Sequence, residues 1–263
     1  MVEVRGLKKY FPIRKGVLQR PGGWVKAVDN ISFRIDRGET FGLAGESGCG
    51  KTTTARLILN LISSDQGEVF FEGLDVLKAD KRSMLGIRRE MQMVFQDPFS
   101  SLNPRMKAGD IVSEGLLLRG RYTPGEIETR LDETFEMVGL PRAYKERYPH
   151  QFSGGERQRI GIARAVILRP KFIVLDEPVS SLDVSIQARV LGLLKKLKEE
   201  LNLTYLFITH DLAVVANMCD RVAIMNEGRI VESGPTRAVF SEPGEEYTLR
   251  LLRSIPLPEP GRR

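Results

Sequence analysis

Cysteine, histidine and tryptophan are scarce in this chain of 263 residues, with two, two and one copies. Cys49 and Cys219 stand far apart, which argues against a disulfide framework and for a reducing, cytoplasmic setting. Long apolar runs are missing as well. None approaches the ~18 residues of a membrane span, and the opening MVEVRGLKKYFPIRKG lacks the apolar core of a secretory signal. Any attachment to a membrane is therefore expected to go through a partner. What is present has the balance of a soluble globular protein, 41% hydrophobic and 28% charged. The length suits one large domain, or a core carrying a subdomain, and can bury a substantial core. The net charge of +6 would suit an anionic partner. The basic residues are spread widely, however, and that fits a solvated surface better.

Short apolar strands alternate with helical stretches, which argues for an α/β core. EVRGLKKYF and VDNISFRI read as alternating strands of an antiparallel layer, with PIRKGVLQRPGGW between them as a long basic loop. TFGLA, MQMVF, KFIVLD and TYLFIT read as buried strands of a central parallel sheet. The stretch 97–159 differs. It opens with the turn signals DPFSSLNPR and then turns helical, with Leu131, Phe135 and Val138 at helical spacing on an expected buried face. It reads as a helical subdomain inserted into a core of residues 1–96 and 160–253. Residues 254–263 read as a Pro-rich tail.

One segment concentrates chemistry. GESGCGKTTT, residues 45–54, follows the strand TFGLA and precedes a helix expected over TTARLILNLI. Gly45, Gly48 and Gly50 let the backbone wrap closely round a bulky anion. The fit to GxxxxGK[ST] makes the backbone from Gly45 through Glu46, Ser47, Gly48, Cys49, Gly50, Lys51, Thr52 and Thr53 a phosphate-binding nest. The helix N-terminus adds its partial positive charge. Lys51 reaches for the β- and γ-phosphates, and the Thr52 hydroxyl for Mg²⁺. Taken alone, the motif says only that a nucleotide binds.

Two further segments narrow the class. In KFIVLDEP an apolar strand ends in two carboxylates. Asp176 at its buried end calls for compensation, which Mg²⁺ would supply. Glu177, one residue on, points elsewhere and can polarise an attacking water. In QFSGGERQRIGIARAVIL, Ser153 is a helix N-cap, and Gly154 and Gly155 allow a ligand to approach the backbone. The chain thus has a second phosphate-binding helix end. Two such ends on one chain make sense if each serves a different nucleotide.

With these in place the sequence resembles the ABC-type ATPases along nearly its whole length, with every motif in the family's order. GESGCGKT, FIVLDE and FSGGERQR look like the Walker A, Walker B and signature motifs. Gln96 in MVFQDP matches the Q-loop, Ser181 to Asp183 the D-loop, and His210 after TYLFIT the switch histidine. The resemblance implies a P-loop NTPase core with a mixed sheet, an antiparallel β layer and an inserted helical subdomain. It also implies ATP and Mg²⁺ as cofactors, with Thr52, Gln96 and Asp176 on the metal and Glu177, His210 and Gln96 in catalysis. Two ATPase subunits would pair head to tail, so that Ser153, Gly154, Gly155 and Glu156 of one, with Asp183 beside them, face the nucleotide held by the other. The family's signature normally reads LSGGQ. Glu156 here places a negative charge near that phosphate. An aromatic side chain is expected to stack on adenine near the first strand, and by its spacing from VRGL Phe11 fits better than Tyr10. Simple core packing is the alternative for either ring.

The chain carries one motif set and resembles the separate ATPase subunits of bacterial importers. VFQDPFSSLNPRM, YPHQFSGGERQRIGIARA and EEYTLRLLRSIPLPEP look like the oligopeptide and dipeptide type, which nickel importers closely resemble. Some of those relatives hold an iron–sulfur centre on C-terminal cysteines. This chain has none after Cys219, so no such centre is expected. The implied partners are membrane-spanning permease subunits, a second ATPase subunit (the same chain or a sibling) and, indirectly, a solute-binding protein. The implied location is the cytoplasmic face of the cell membrane. Phe99, Leu102 and Met106 are expected either to dock the permease or to pack within the subdomain. Nucleic-acid-acting ABC ATPases usually carry two motif sets or long heptad arms, neither of which is present, so no nucleic acid is expected. An export or lipoprotein-release ATPase is the remaining alternative.

Overall fold

The computed structural model describes residues 1–15, 20–97, 101–118 and 122–254. The chain divides into two compact units, residues 1–78 with 207–263 and residues 79–206. The first unit opens with β1 (Val2–Lys15) and β2 (Arg20–Ile35), then β3 (Thr40–Ala44), α1 (Lys51–Ile58), β4 (Gln66–Phe71) and the short β5 (Leu74–Asp75). β1 pairs antiparallel with both β2 and β4, giving the sheet order β2-β1-β4-β5. Alternation buries Val2 and Val4 on β1 and Ile31 and Ile35 on β2, and the register shift between Val4 and Leu7 keeps Leu7 buried as well. The basic loop expected over PIRKGVLQRPGGW is mostly strand instead. Pairing runs on through Phe11↔Val25 and Pro12↔Trp24, with register shifts between Lys9 and Tyr10 and beyond Pro12. Bulges let Pro and Gly sit in strands that composition alone would break.

The second unit holds α2 (Lys81–Glu90), β6 (Met91–Val94), α3 (Ala108–Leu117), α4 (Pro124–Met137), α5 (Gly154–Val166), β7 (Phe172–Asp176) and α6 (Val184–Leu201). β6 and β7 pair in parallel. β7 is buried at every position, as expected of a continuous apolar run. α4 starts at a full capping box, Thr123 with Glu126, and has Pro at its first turn. The expected apolar stripe is present, with Leu131, Phe135 and Val138 buried. Leu102 is 1% exposed, so it packs within its unit rather than standing ready to dock a partner. Met106 is half-buried, and Phe99 and the tail from residue 255 lie outside the described residues.

The chain passes back to the first unit within β8 (Thr204–Thr209), followed by α7 (Leu212–Met218), β9 (Arg221–Asn226), β10 (Arg229–Pro235), α8 (Thr236–Ser241) and α9 (Glu246–Arg253). β9 pairs in parallel with β3 and antiparallel with β10, so this sheet is mixed. Among the described residues no helix is long and apolar enough to cross a membrane.

Candidate functional site

In the first unit the turn from β3 to α1 is built as the glycines require. Gly45, Gly48 and Gly50 have φ of 150°, 85° and 112°, which L side chains rarely adopt. A Cβ at Gly45 would lie 2.1 Å from the Met225 carbonyl oxygen, and one at Gly50 2.0 Å from that of Ala27. The loop is therefore clamped between β2 and β9, and Gly228 N–H donates to the Cys49 carbonyl at 2.9 Å. Lys51 is 4% exposed and turns back over the loop, its ammonium donating to the carbonyls of Gly45 and Glu46 at 2.7 Å each. It also lies 3.8 Å from Cys49 Sγ. Burial pushes the Cys49 thiol up, against the pull of the nearby ammonium. Glu46, Ser47 and Gly48 are exposed, and Thr52 and Thr53 are half-buried on the first turn of α1. Gly50, the N-cap, supplies no side-chain cap, so the positive end of α1 is left to whatever the loop encloses.

Tyr10 and Phe11 part ways at the bulge. The Tyr10 hydroxyl donates to Asp29 Oδ1 at 2.5 Å, and Arg229 binds the other oxygen through Nε and Nη2 at 2.9 and 2.6 Å. Those bonds, from Tyr10 first and then Arg229, hold the Asp29 carboxyl below the ordinary range. Tyr10 is thus a structural tie, whereas the Phe11 ring is 40% exposed beneath the Lys9 ammonium. Trp24, on the paired strand, is 64% exposed and walls a cavity of about 760 Å³ that also touches Gly48. His210 is exposed at the end of β8. The next residue, Asp211, caps α7 through Ala213 N–H and Val214 N–H.

In the second unit Asp176 ends β7 with 2% exposure. Glu177 follows with φ of 46° and 8% exposure, a left-handed conformation that side chains other than Gly adopt at a cost. Its Oε2 accepts a hydrogen bond from Gln96 Nε2 at 2.8 Å, joining two residues 81 positions apart. The signature segment forms as expected. Ser153 caps α5, and its backbone N–H and hydroxyl reach Glu156 Oε2 at 2.8 and 2.9 Å in a full capping box. Phe152 is buried against Tyr144, so the change from leucine is absorbed by packing. A Cβ at Gly155 would meet Ile186 Cγ2 at 2.6 Å, and one at Gly154 would meet Leu182 at 3.4 Å. Gly155 therefore also lets α5 approach the segment that carries Asp183, the N-cap of α6. Gln187 holds that segment by donating to the carbonyls of Val179 and Leu182. Sequence reading missed this residue. Its signal was a polar side chain one turn into a helix.

Among the described residues, each unit thus contains a glycine-rich helix start, uncapped in the first and closed by Glu156 in the second, and the second adds a paired amide and carboxylate. Residues 28–180 match the ABC transporter family. The chain is 48% identical to the oligopeptide transport ATP-binding protein AppF of Bacillus subtilis, over 98% of this chain and 78% of that protein. It is 49% identical to OppF of the same organism, over 99% and 84%. Against a putative peptide import ATP-binding protein of Brucella ovis it is 50% identical, over 100% and 81%. Among solved structures it resembles the dimeric ATP-binding cassette MJ0796 in a post-hydrolysis state with ADP and Pi. The TM-score there is 0.79, at 29% identity over 90% of this chain and 99% of that one. Motifs, fold and relatives agree: the chain belongs to the ABC transporter family and has the fold of its ATP-binding cassettes.

Proposed function

We propose that this chain is the ATP-binding and ATP-hydrolysing subunit of an importer for peptides, peripheral to the cytoplasmic face of the membrane. The observation that carries the solute class is identity of 48 to 50% over nearly the whole chain with ATPases named for peptide transport. The loop from Gly45 to Thr53 encloses the phosphates, and Lys51 adds a fixed ammonium. Phe11 offers a ring face to adenine. The donors Thr52, Gln96 and Asp176 are all oxygen-bearing, which suits Mg²⁺, and a bound Mg²⁺ would neutralise charge on the phosphates.

Glu177 acts as the base that orients the attacking water, and Gln96 fixes its carboxylate through the 2.8 Å hydrogen bond. His210 completes the catalytic set as a partner to the γ-phosphate. Ser153, Gly154, Gly155 and Glu156, with Asp183 behind them, engage the nucleotide of a second ATPase subunit, so that ATP holds the pair together and hydrolysis releases it. The helices within 97–159 form the subdomain that passes this cycle to the permease. A pull-down with tagged Glu177→Gln from detergent-solubilised native membranes in Mg·ATP tests the reading. Two multi-span proteins should come with it, and a peptide-binding protein should be linked to them. Permeases paired with a nickel-binding protein would move the solute class. Recovery of only soluble or nucleic-acid-bound partners would overturn the importer.

A further inference from the structure

The segment EEYTLRLLR has no part in the chemistry above, yet it folds into α9 and reaches the phosphate loop. The Glu46 backbone N–H donates to the Tyr247 hydroxyl oxygen at 3.4 Å, across 201 positions of sequence. The carbonyl of that same Glu46 accepts from the Lys51 ammonium at 2.7 Å. One exposed residue of the loop is therefore held at both of its backbone groups, one by the C-terminal helix and the other by the lysine. The Tyr247 hydroxyl lies near enough to Glu46 and Cys49 to feel both, and burial is the first cause that lifts it above the ordinary phenol range.

The helix has its own anchors. The Glu232 carboxylate on β10 accepts from Gly244 N–H at 2.8 Å and Glu245 N–H at 3.4 Å, which fixes the entry to α9. Thr248 is fully buried. Arg250, one turn on, lies 5.8 Å over the Tyr247 ring. Thus β10 sets the helix, the helix sets the ring, and the ring hydroxyl sets the Glu46 peptide.

We propose that Tyr247 is a positioning residue for the phosphate loop: by holding the Glu46 amide it fixes the pair of carbonyls that aim Lys51. The inference rests on the assignment of the Gly45–Thr53 loop to phosphate binding. It ties α9 to the loop through that one hydroxyl, so loss of the Tyr247 bond alters how much ordering the loop must undergo when nucleotide arrives.

The test is Tyr247→Phe, which deletes the hydroxyl and keeps the ring. Amide hydrogen exchange in the nucleotide-free protein should be faster at Glu46, while α1 and β3 exchange as in the unchanged protein. ADP affinity should fall about two- to tenfold, the range expected for loss of one hydrogen bond. In steady state the KM for ATP should rise by a similar factor with kcat nearly unchanged. Thr248→Val, in the same helix, keeps the shape and should alter neither exchange at Glu46 nor ADP affinity. Unchanged exchange and unchanged ADP affinity in Tyr247→Phe overturn the proposal, as does an equal effect from Thr248→Val. Because exchange at Glu46 needs no nucleotide, failure of the phosphate assignment would show separately, as ADP affinity unchanged in Lys51→Ala.

Discussion

Two helices of this protein begin at glycine-rich turns, and they end their backbones in opposite ways. α1 starts at Gly50, which has φ of 112° and no side chain to cap it. α5 starts at Ser153 and closes itself, with Glu156 accepting from the serine N–H and hydroxyl. The first N-terminus keeps its dipole for a ligand, whereas the second already holds an acidic side chain of its own. An uncapped start beside a buried lysine suits the resident phosphate that the proposed function places there. A capped start is stable without one, and under the proposed function it would exchange part of its own cap for a phosphate brought by another subunit. That difference fits one site that holds nucleotide and one that meets it only in the assembled pair.

The sharpest way to break the comparison is at α1. Lys51→Ala removes an ammonium that bridges two loop carbonyls, and charge-assisted hydrogen bonds contribute about 1.5–3 kcal/mol each. ADP and ATP affinity should fall at least ~100-fold by titration calorimetry. Tight ATP binding by that variant would sink the phosphate-loop assignment. Glu177→Gln leaves both helix starts intact. It should slow turnover by at least ~10²-fold, the low end of what a positioned base contributes, with ATP affinity preserved. Normal turnover would remove Glu177 from the role of base.

Smaller effects separate the aromatic candidates. Phe11→Ala should weaken ATP binding by roughly 0.5–1.5 kcal/mol, the range for a ring contact. Tyr10→Phe should leave ATP binding unchanged, because its hydroxyl is committed to Asp29. A larger loss in Trp24→Ala than in Phe11→Ala would move the stacking role to β2. The smallest effects belong to the capped end. Ser153→Ala should cost about 1 kcal/mol of stability, a fall in Tm of roughly 2–4 °C. Glu156→Gln keeps the capping pattern but removes the charge, so Tm should hold while the ATP-bound pair tightens by a few-fold. A weaker pair would mean that the carboxylate helps rather than opposes the incoming phosphate.

How far the sequence could be read follows from the same physics. TFGLA, FIVLD and TYLFIT were legible as strands because each is buried along its whole length, and such strands are continuous apolar runs. The start of α5 was legible because Ser153 is a local N-cap signal, whereas Glu156 as its partner in a capping box was not read. The β1–β2 pairing was legible near Val2 and Ile35 but not beyond Pro12 and Trp24, since glycine, proline and basic residues there sit at register shifts that only pairing with the opposite strand makes tolerable. Long-range closures were illegible too. The Met225 carbonyl that makes Gly45 obligatory comes from β9, 180 positions away, and nothing local announces it. Glu177 was legible at the end of an apolar strand and Gln96 only through resemblance to a family, while their hydrogen bond and Tyr247 were reached by neither route.

Under the proposed function, ATP bound at the open loop of one subunit is closed off by the capped helix of another. Sedimentation of Glu177→Gln, with and without saturating Mg·ATP, tests it most directly. The protein should be a monomer that becomes a dimer with ATP and returns to monomer when Lys51→Ala is added. A Glu177→Gln protein that binds ATP tightly yet stays monomeric, with no sibling ATPase among the partners recovered from native membranes, would contradict it.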